Sequence, residues 1–201
     1  LRALAVDAAA THLPAIGTPH VYPADAPDAD VDWTAEELLR DALETGDLVD
    51  VERVEDLDTL RGFVVQLESG LVVLQEMSND ITLDGYSIVR SGDVADVSAL
   101  SDEHFAARAL ALLGLEPTRP EVDTKSLDHV FRSLAQREEL VTVSMEKIAP
   151  DVVYIGKIER VESNGVFMRH LDPDALWRGV EFYEFTQITR LSFGARYEAA
   201  L

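Results

Sequence analysis

Phe63-Val64-Val65-Gln66-Leu67, the link Glu68-Ser69-Gly70, and Leu71-Val72-Val73-Leu74-Gln75-Glu76-Met77 form the stretch that decides the fold. Two valine-rich apolar runs joined by a tight-turn signature read as the two strands of an antiparallel hairpin. Upstream, Leu48–Val54 alternates β-branched residues with charge. Downstream, Asp84-Gly85 opens Tyr86–Arg90, and Ser91-Gly92-Asp93 turns into Val94–Val97. That makes five short strands in a row. A helix precedes them: Thr34-Ala35-Glu36-Glu37 fits a capping box, Leu38, Leu39, Ala42 and Leu43 share one face, and Gly46 suits a left-handed stop.

The pattern returns. Leu39-Arg40 and Leu48-Val49-Asp50-Val51 correspond to Phe131-Arg132 and Leu140-Val141-Thr142-Val143, 92 residues on. Gly62-Phe63-Val64 corresponds to Gly156-Lys157-Ile158 at an offset of 94, and Glu68-Ser69-Gly70 to the longer Glu162-Ser163-Asn164-Gly165. Gly85-Tyr86 and Gly179-Val180, then Val94 to Val97 and Ile188 to Leu191, keep the offset of 94. A nearly constant offset over helix, hairpin and last strand reads as an internal duplication, with too few copies for a solenoid. Between the copies, Ser101–Leu113 reads as a helix stopped by Gly114, Pro117 and Pro120, and Ser126 caps another helix with Leu127, Val130, Phe131 and Leu134 on one face.

Five short strands with exposed edges must be closed, covered or charged, and the short corners at Ser91-Gly92-Asp93 and Thr186-Gln187 suit closure. The expected fold is therefore α+β, mainly β: two tandem helix-capped five-stranded small β-barrels joined by a helical connector. The boundaries are a Pro/Asp-rich lead-in over 1–32, a first unit over 33–97, the connector over 98–125 and a second unit over 126–201. A short helix over Arg2–Ala10 is also expected.

This arrangement is similar to the Sm-like, or SH3-like, small barrel. Ile88-Val89-Arg90-Ser91-Gly92-Asp93-Val94 resembles the second Sm motif, with one extra residue between Arg90 and Gly92. From about residue 34 the chain also resembles an uncharacterised bacterial family, through Leu83-Asp84-Gly85-Tyr86 and Tyr154-Ile155-Gly156-Lys157-Ile158; that likeness implies no known activity. The Sm likeness implies RNA binding, but Glu68-Ser69-Gly70 stands where an Asp/Asn-bearing loop is needed, and Phe185-Thr186-Gln187 replaces the Arg-Gly of the second copy.

The chain of 201 residues carries 38 acids and 17 bases, a net charge of −21. Residues 1–60 hold 15 acids and 3 bases, whereas 151–201 hold 8 and 6, so the first copy is acidic and the second nearly neutral. Such a balance repels phosphate backbones, which disfavours non-specific nucleic-acid binding, and favours a partner protein with a basic surface. The bases are mostly Arg beside abundant Ala, a pattern of GC-rich bacterial or halophilic sources. No cysteine is present, which removes disulfides, thiolate metal sites and cysteine nucleophiles and sets a cytoplasmic expectation. No apolar run approaches the ~20 residues of a membrane span.

Catalytic and ligand motifs are missing. His12, His20, His104, His129 and His170 are scattered without metal-ligand spacing and read as surface or helix-cap residues. Asp28-Ala29-Asp30-Val31-Asp32 opens like a calcium loop, but Trp33 takes the sharp-turn glycine's place and Leu39 that of the bidentate Glu. No Gly-x-Ser-x-Gly, Walker-type or Gly-x-Gly-x-x-Gly pattern occurs, so no catalytic, cofactor-binding or metal residue is nominated and no cofactor is expected. Two features stand out instead. Phe182, Tyr183 and Phe185, with Trp177 before and Phe193 and Tyr197 after, form an aromatic cluster in which Tyr183 and Phe185 share one strand face and Phe182 takes the other. Arg90, Arg169, Arg178 and Arg190 would make a basic pocket if the fold gathered them. The sequence thus points to a non-enzymatic interaction module, with an Sm-like RNA or nucleotide binder and an acidic immunity or inhibitor protein as the alternatives.

Overall fold

The computed structural model of the chain describes residues 33–201 apart from Asp56 and Glu138. The lead-in, the Arg2–Ala10 helix, His12, His20 and Asp28–Asp32 lie outside the described residues.

Helix α1 (Ala35–Thr45) starts as its capping box dictates. The Glu37 N–H donates to the Thr34 hydroxyl at 3.3 Å, the Thr34 N–H donates to the Glu37 carboxylate at 2.8 Å, and Gly46 ends the helix at φ +70°. Strands β1 (Leu48–Arg53), β2 (Leu60–Glu68), β3 (Leu71–Met77) and β4 (Leu83–Arg90) follow as an antiparallel meander, and a 3-10 turn over Ser91–Asp93 leads to β5 (Val94–Ala99), which pairs with β1. Helix α2 (Phe105–Leu113) comes next. Helix α3 (Leu127–Arg137) and strands β6 (Leu140–Ser144), β7 (Val153–Val161), β8 (Gly165–Leu171), β9 (Trp177–Glu184) and β10 (Arg190–Phe193) complete the sheet, ahead of a short α4 (Arg196–Ala200).

The ten described strands form one sheet in the order β5-β1-β2-β3-β4-β10-β6-β7-β8-β9. The expected pair of closed barrels is therefore not formed. In the first half β4 and β5 are joined by only three residues, so this part of the sheet must curve strongly, yet no ladder joins them. The outer edge of β4 pairs instead with β10: Ile88 with Leu191, Ser87 with Ser192, Tyr86 with Phe193. An unpaired strand edge can be satisfied by any strand of suitable twist, and here the other half supplies it.

The strand order of the first five, β5-β1-β2-β3-β4, recurs in the second as β10-β6-β7-β8-β9. Registers correspond in detail. Val51 faces Val97 as Val143 faces Leu191, and the irregularity at Val64/Gln66 has its counterpart at Ile158/Arg160. Gly62 and Gly156 hold equivalent places, where the chain passes so near the neighbouring strand that a Cβ would strike the carbonyl of Gln75 or Arg169.

The expected helical connector also differs. Ser98 and Ala99 belong to β5, and the helix begins at Phe105, where the His104 ring accepts a hydrogen bond from the Ala106 N–H at 3.2 Å. After Gly114 the chain is no longer helical. Residues 115–125 run as a strap over β2 and β3, and polar side chains hold it there: the Thr118 N–H donates to Gln75 at 2.6 Å, Arg119 donates to Gln66 at 3.0 Å, and the Thr124 hydroxyl donates to Glu68 at 2.6 Å. Gln66, Gln75 and Thr124 are buried, so this network satisfies groups that would otherwise be costly inside.

The core is distributed accordingly. Leu39, Val49, Val51, Val72, Leu74 and Val89 fill the inner face of the first half beneath α1. The opposite face of β3 and β4 carries Leu71, Val73 and Ile88, and these join the second-half core of Val130, Phe131, Val141, Met168, Tyr183 and Leu191. Leu48 and Phe63 lie under α2. Trp33–Leu201 thereby makes one compact unit.

Candidate functional site

Two places in this unit have the makings of a site: a polar cleft beside the β4·β10 junction and the free edge formed by β9.

The cleft, about 290 Å³, is lined among others by Glu76, Tyr86, Thr142, Arg190, Tyr197 and Glu198. Within its lining one acid, Glu76, is paired with the one base, Arg190, while Asp84 and Glu198 leave it acidic. Arg190 pairs with Glu76 and also donates to the hydroxyls of Ser87 at 2.8 Å and Ser192 at 3.1 Å. Ser87 hydrogen-bonds to Glu76, but it is wholly buried, so this serine–carboxylate contact cannot reach a substrate. Thr142 donates to one oxygen of Glu198 at 2.7 Å, and the other oxygen is buried without a hydrogen-bond partner. Among the described residues no group of three or more acids and histidines is placed to hold a metal.

The four arginines that would form a basic pocket if gathered are spread out. Arg90 donates to the carbonyls of Ile188, at 2.5 Å, and Phe185, tying the first half to the corner of the second. Arg169 pairs with Glu159 at 2.7 Å, Arg178 with Asp172, and Arg190 with Glu76 in the cleft. Each cation is committed to an acid or a carbonyl.

The histidines hold local roles. His104 caps α2, His129 contacts the Ser126 hydroxyl at 2.7 Å, and His170 meets the Tyr183 hydroxyl at 2.6 Å. Burial, with Glu181 and Tyr154 nearby, holds the Tyr183 phenol well above its usual range and keeps it neutral.

The aromatic cluster divides by strand parity. Tyr183 is buried in the core, Phe185 stacks on Phe131 of α3 with centroids 5.5 Å apart, and Phe193 is buried against Tyr86 at 5.4 Å. Phe182 takes the opposite face. Its ring lies over Gly165, whose missing side chain leaves room for it, and tilts against Phe167 at 4.8 Å, with the Arg160 guanidinium 4.2 Å over Phe167. Phe182 remains 37% exposed, Val180 47% and Trp177 51%. Tyr197 is also exposed, beside the cleft.

Comparing the two halves gives this exposure its meaning. Phe182 corresponds to Ile88 and Phe167 to Val73, and both first-half residues are sealed by the second half, Ile88 at 2% exposure. The same face of the sheet is therefore buried at β4 and uncovered at β9. Among the described residues β5, at the other end of the sheet, likewise pairs on one side only. Sequence reasoning singled out Phe182 and Trp177 but missed Phe167 and Arg160; the offset of 94 that relates Phe167 to Val73 was the signal available.

No described helix is long and apolar enough to cross a membrane. Comparison with known proteins finds no family model, no curated protein and no solved structure that matches the chain.

Proposed function

We propose that the protein is a non-enzymatic interaction module, working in the cytoplasm, that binds a partner protein along the β9 edge. The observation that carries this reading is the uncovered aromatic face of β8 and β9, whose first-half counterpart is buried. An edge strand offers a row of unpaired N–H and C=O groups, and Val180 and Phe182 add apolar area that a partner can remove from water. Each 100 Å² so covered would contribute about 2.5 kcal/mol before the cost of association.

Charge supports the same choice. Residues 153–184 hold six acids and four bases, so the contact is nearly neutral locally although the chain is strongly acidic. The dispersal of Arg90, Arg169, Arg178 and Arg190 gives RNA binding no support.

The test is retention of partners by the immobilised full chain and by Phe182→Lys. Reproducible retention of a protein by the unsubstituted chain, lost in the variant, is the expected result. No retained protein, together with turnover in a broad hydrolase screen, would overturn the reading.

A further inference from the structure

The chain itself contains a worked example of what can cover the β9 edge. In the β4·β10 junction the outer edge of one half receives the last strand of the other, in a defined register. By position, β9 is the counterpart of β4, and β5 is the counterpart of β10. The two strands at the ends of the sheet are thus the two partners of that junction, each lacking its mate among the described residues of one molecule.

We propose that the occupant of the β9 edge is the β5 edge of a second copy of this chain, added head to tail in the register of the β4·β10 junction. The proposal rests on the reading of β9 as the contact edge and names its partner. Carrying each residue over by its place in the ladders sets Phe182 opposite Val97 as Ile88 is opposite Leu191. Glu181 falls opposite Ser98 as Ser87 is opposite Ser192, and Val180 opposite Ala99 as Tyr86 is opposite Phe193.

The chemistry of the junction is partly retained. The apolar pair Phe182 and Phe167 stands where Ile88 and Val73 stand, and would be covered in the same way. Asp96 takes the place of Arg190, His170 that of Glu76 and Glu181 that of Ser87, so the ionic contact of the internal junction is not reproduced: an acid there faces an imidazole that already meets the Tyr183 hydroxyl, beside a second carboxylate. A second element is lost. Glu184 stands where Arg90 donates to two carbonyls, and a carboxylate cannot donate. The contact between copies is therefore weaker than the internal junction and reversible. A head-to-tail contact is heterologous, so it closes into a ring or runs on as a filament according to the rotation it imposes.

The chain has no cysteine, which makes the register directly testable. In the internal junction the hydroxyls of Ser87 and Ser192 meet at 2.8 Å, so cysteines at the equivalent positions 181 and 98 would lie within disulfide reach across the contact. Glu181→Cys and Ser98→Cys are made separately in the full chain, mixed, oxidised gently, and sized by non-reducing electrophoresis and light scattering. Val180→Cys with Ala99→Cys serves as a second pair in case either first variant misfolds. The expected result is a covalent dimer in each mixture and no comparable product from any single variant, while the double variant Glu181→Cys/Ser98→Cys yields higher multimers or one closed species. Equal linkage of Glu181→Cys with itself would overturn the head-to-tail arrangement and leave β9 as a contact edge. No linkage with either pair, and a monomeric mass at all concentrations, would overturn self-association. Retention of another protein that depends on Phe182 would then show that the contact-edge reading survives, and its absence that both fail.

Discussion

Arg53 at the end of β1 and Glu146 just beyond β6 meet in two parallel hydrogen bonds of 2.8 and 2.6 Å, clamping the halves together 93 residues apart in sequence. The Arg53 side chain is fully buried, its Nε donates to the Asp58 carbonyl at 2.7 Å, and the Thr189 hydroxyl donates to Glu146 at 2.6 Å. Removing the carboxylate would leave a buried guanidinium uncompensated. Glu146→Ala should lower the unfolding free energy in urea by about 3–5 kcal/mol, whereas Arg53→Met with Glu146→Leu should cost far less, because both charges leave together. Equal losses in the two variants would show that shape, and not charge, holds this place.

Glu146 also predicts an acid limit to stability. Burial pushes its carboxyl upward, but the bonds from Arg53 and Thr189 outweigh burial and hold it below the ordinary value of 4.5. The unfolded chain then binds this proton more readily than the folded one. The stabilisation is complete above the unfolded pKa and is lost as the pH falls through the folded one. Urea midpoints measured from pH 7 down to pH 3 should fall at the acid end, and Glu146→Gln should flatten that fall. An unchanged slope in the variant would assign it to other carboxylates.

Arg90 predicts a lesion confined to the junction. Its fork serves the carbonyls of Phe185 and Ile188 together, which a lysine's single ammonium on a flexible stem cannot match. Arg90→Ala should cost about 1.5–3 kcal/mol. Arg90→Lys should recover only part of it. Hydrogen exchange should quicken first at the amides of β4 and β10, with β1 and β2 little changed.

Gly156 and Gly179 make a matched pair. A methyl group at Gly156 would run into the carbonyl of Arg169, whereas one at Gly179 meets nothing within 4 Å. Gly156→Ala should be destabilised by more than about 2 kcal/mol, and Gly179→Ala should stay within about 0.5 kcal/mol of the parent in thermal or urea unfolding. Gly62→Ala should behave like Gly156→Ala, since the Gln75 carbonyl occupies the same position against it.

Local features were legible in the sequence because local chemistry sets them. Thr34 and Glu37 cap α1, Gly46 stops it, and the turn at Glu68-Ser69-Gly70 divides β2 from β3. Whether the outer edge of β4 would meet its own β5 or the β10 of the other half was decided by long-range packing. The short corner at Ser91–Asp93 is compatible with either outcome. Leu71-Val72-Val73-Leu74 did carry a trace of the answer. Four consecutive apolar residues mean burial on both faces of a strand, and all four are buried, whereas a small closed unit needs only one such face. The strap was hidden because its anchors are the polar residues Thr118, Arg119 and Thr124, which look like ordinary surface until Gln66 and Gln75 prove to be inside. The β9 edge was half legible: strand parity separates Phe182 from Tyr183, but exposure depends on what the rest of the chain leaves uncovered.

The place of β10 between β4 and β6 bears on how the molecule is made. Ser87 waits for Arg190, 103 residues later, before its edge is closed. During synthesis the first half therefore emerges with Leu71, Val73 and Ile88 bare along an open strand, and it stays so until a four-residue strand slots into the middle of the sheet. Pairings this distant in sequence are slow to form, and a nascent chain in that condition needs shelter from its neighbours on the same messenger.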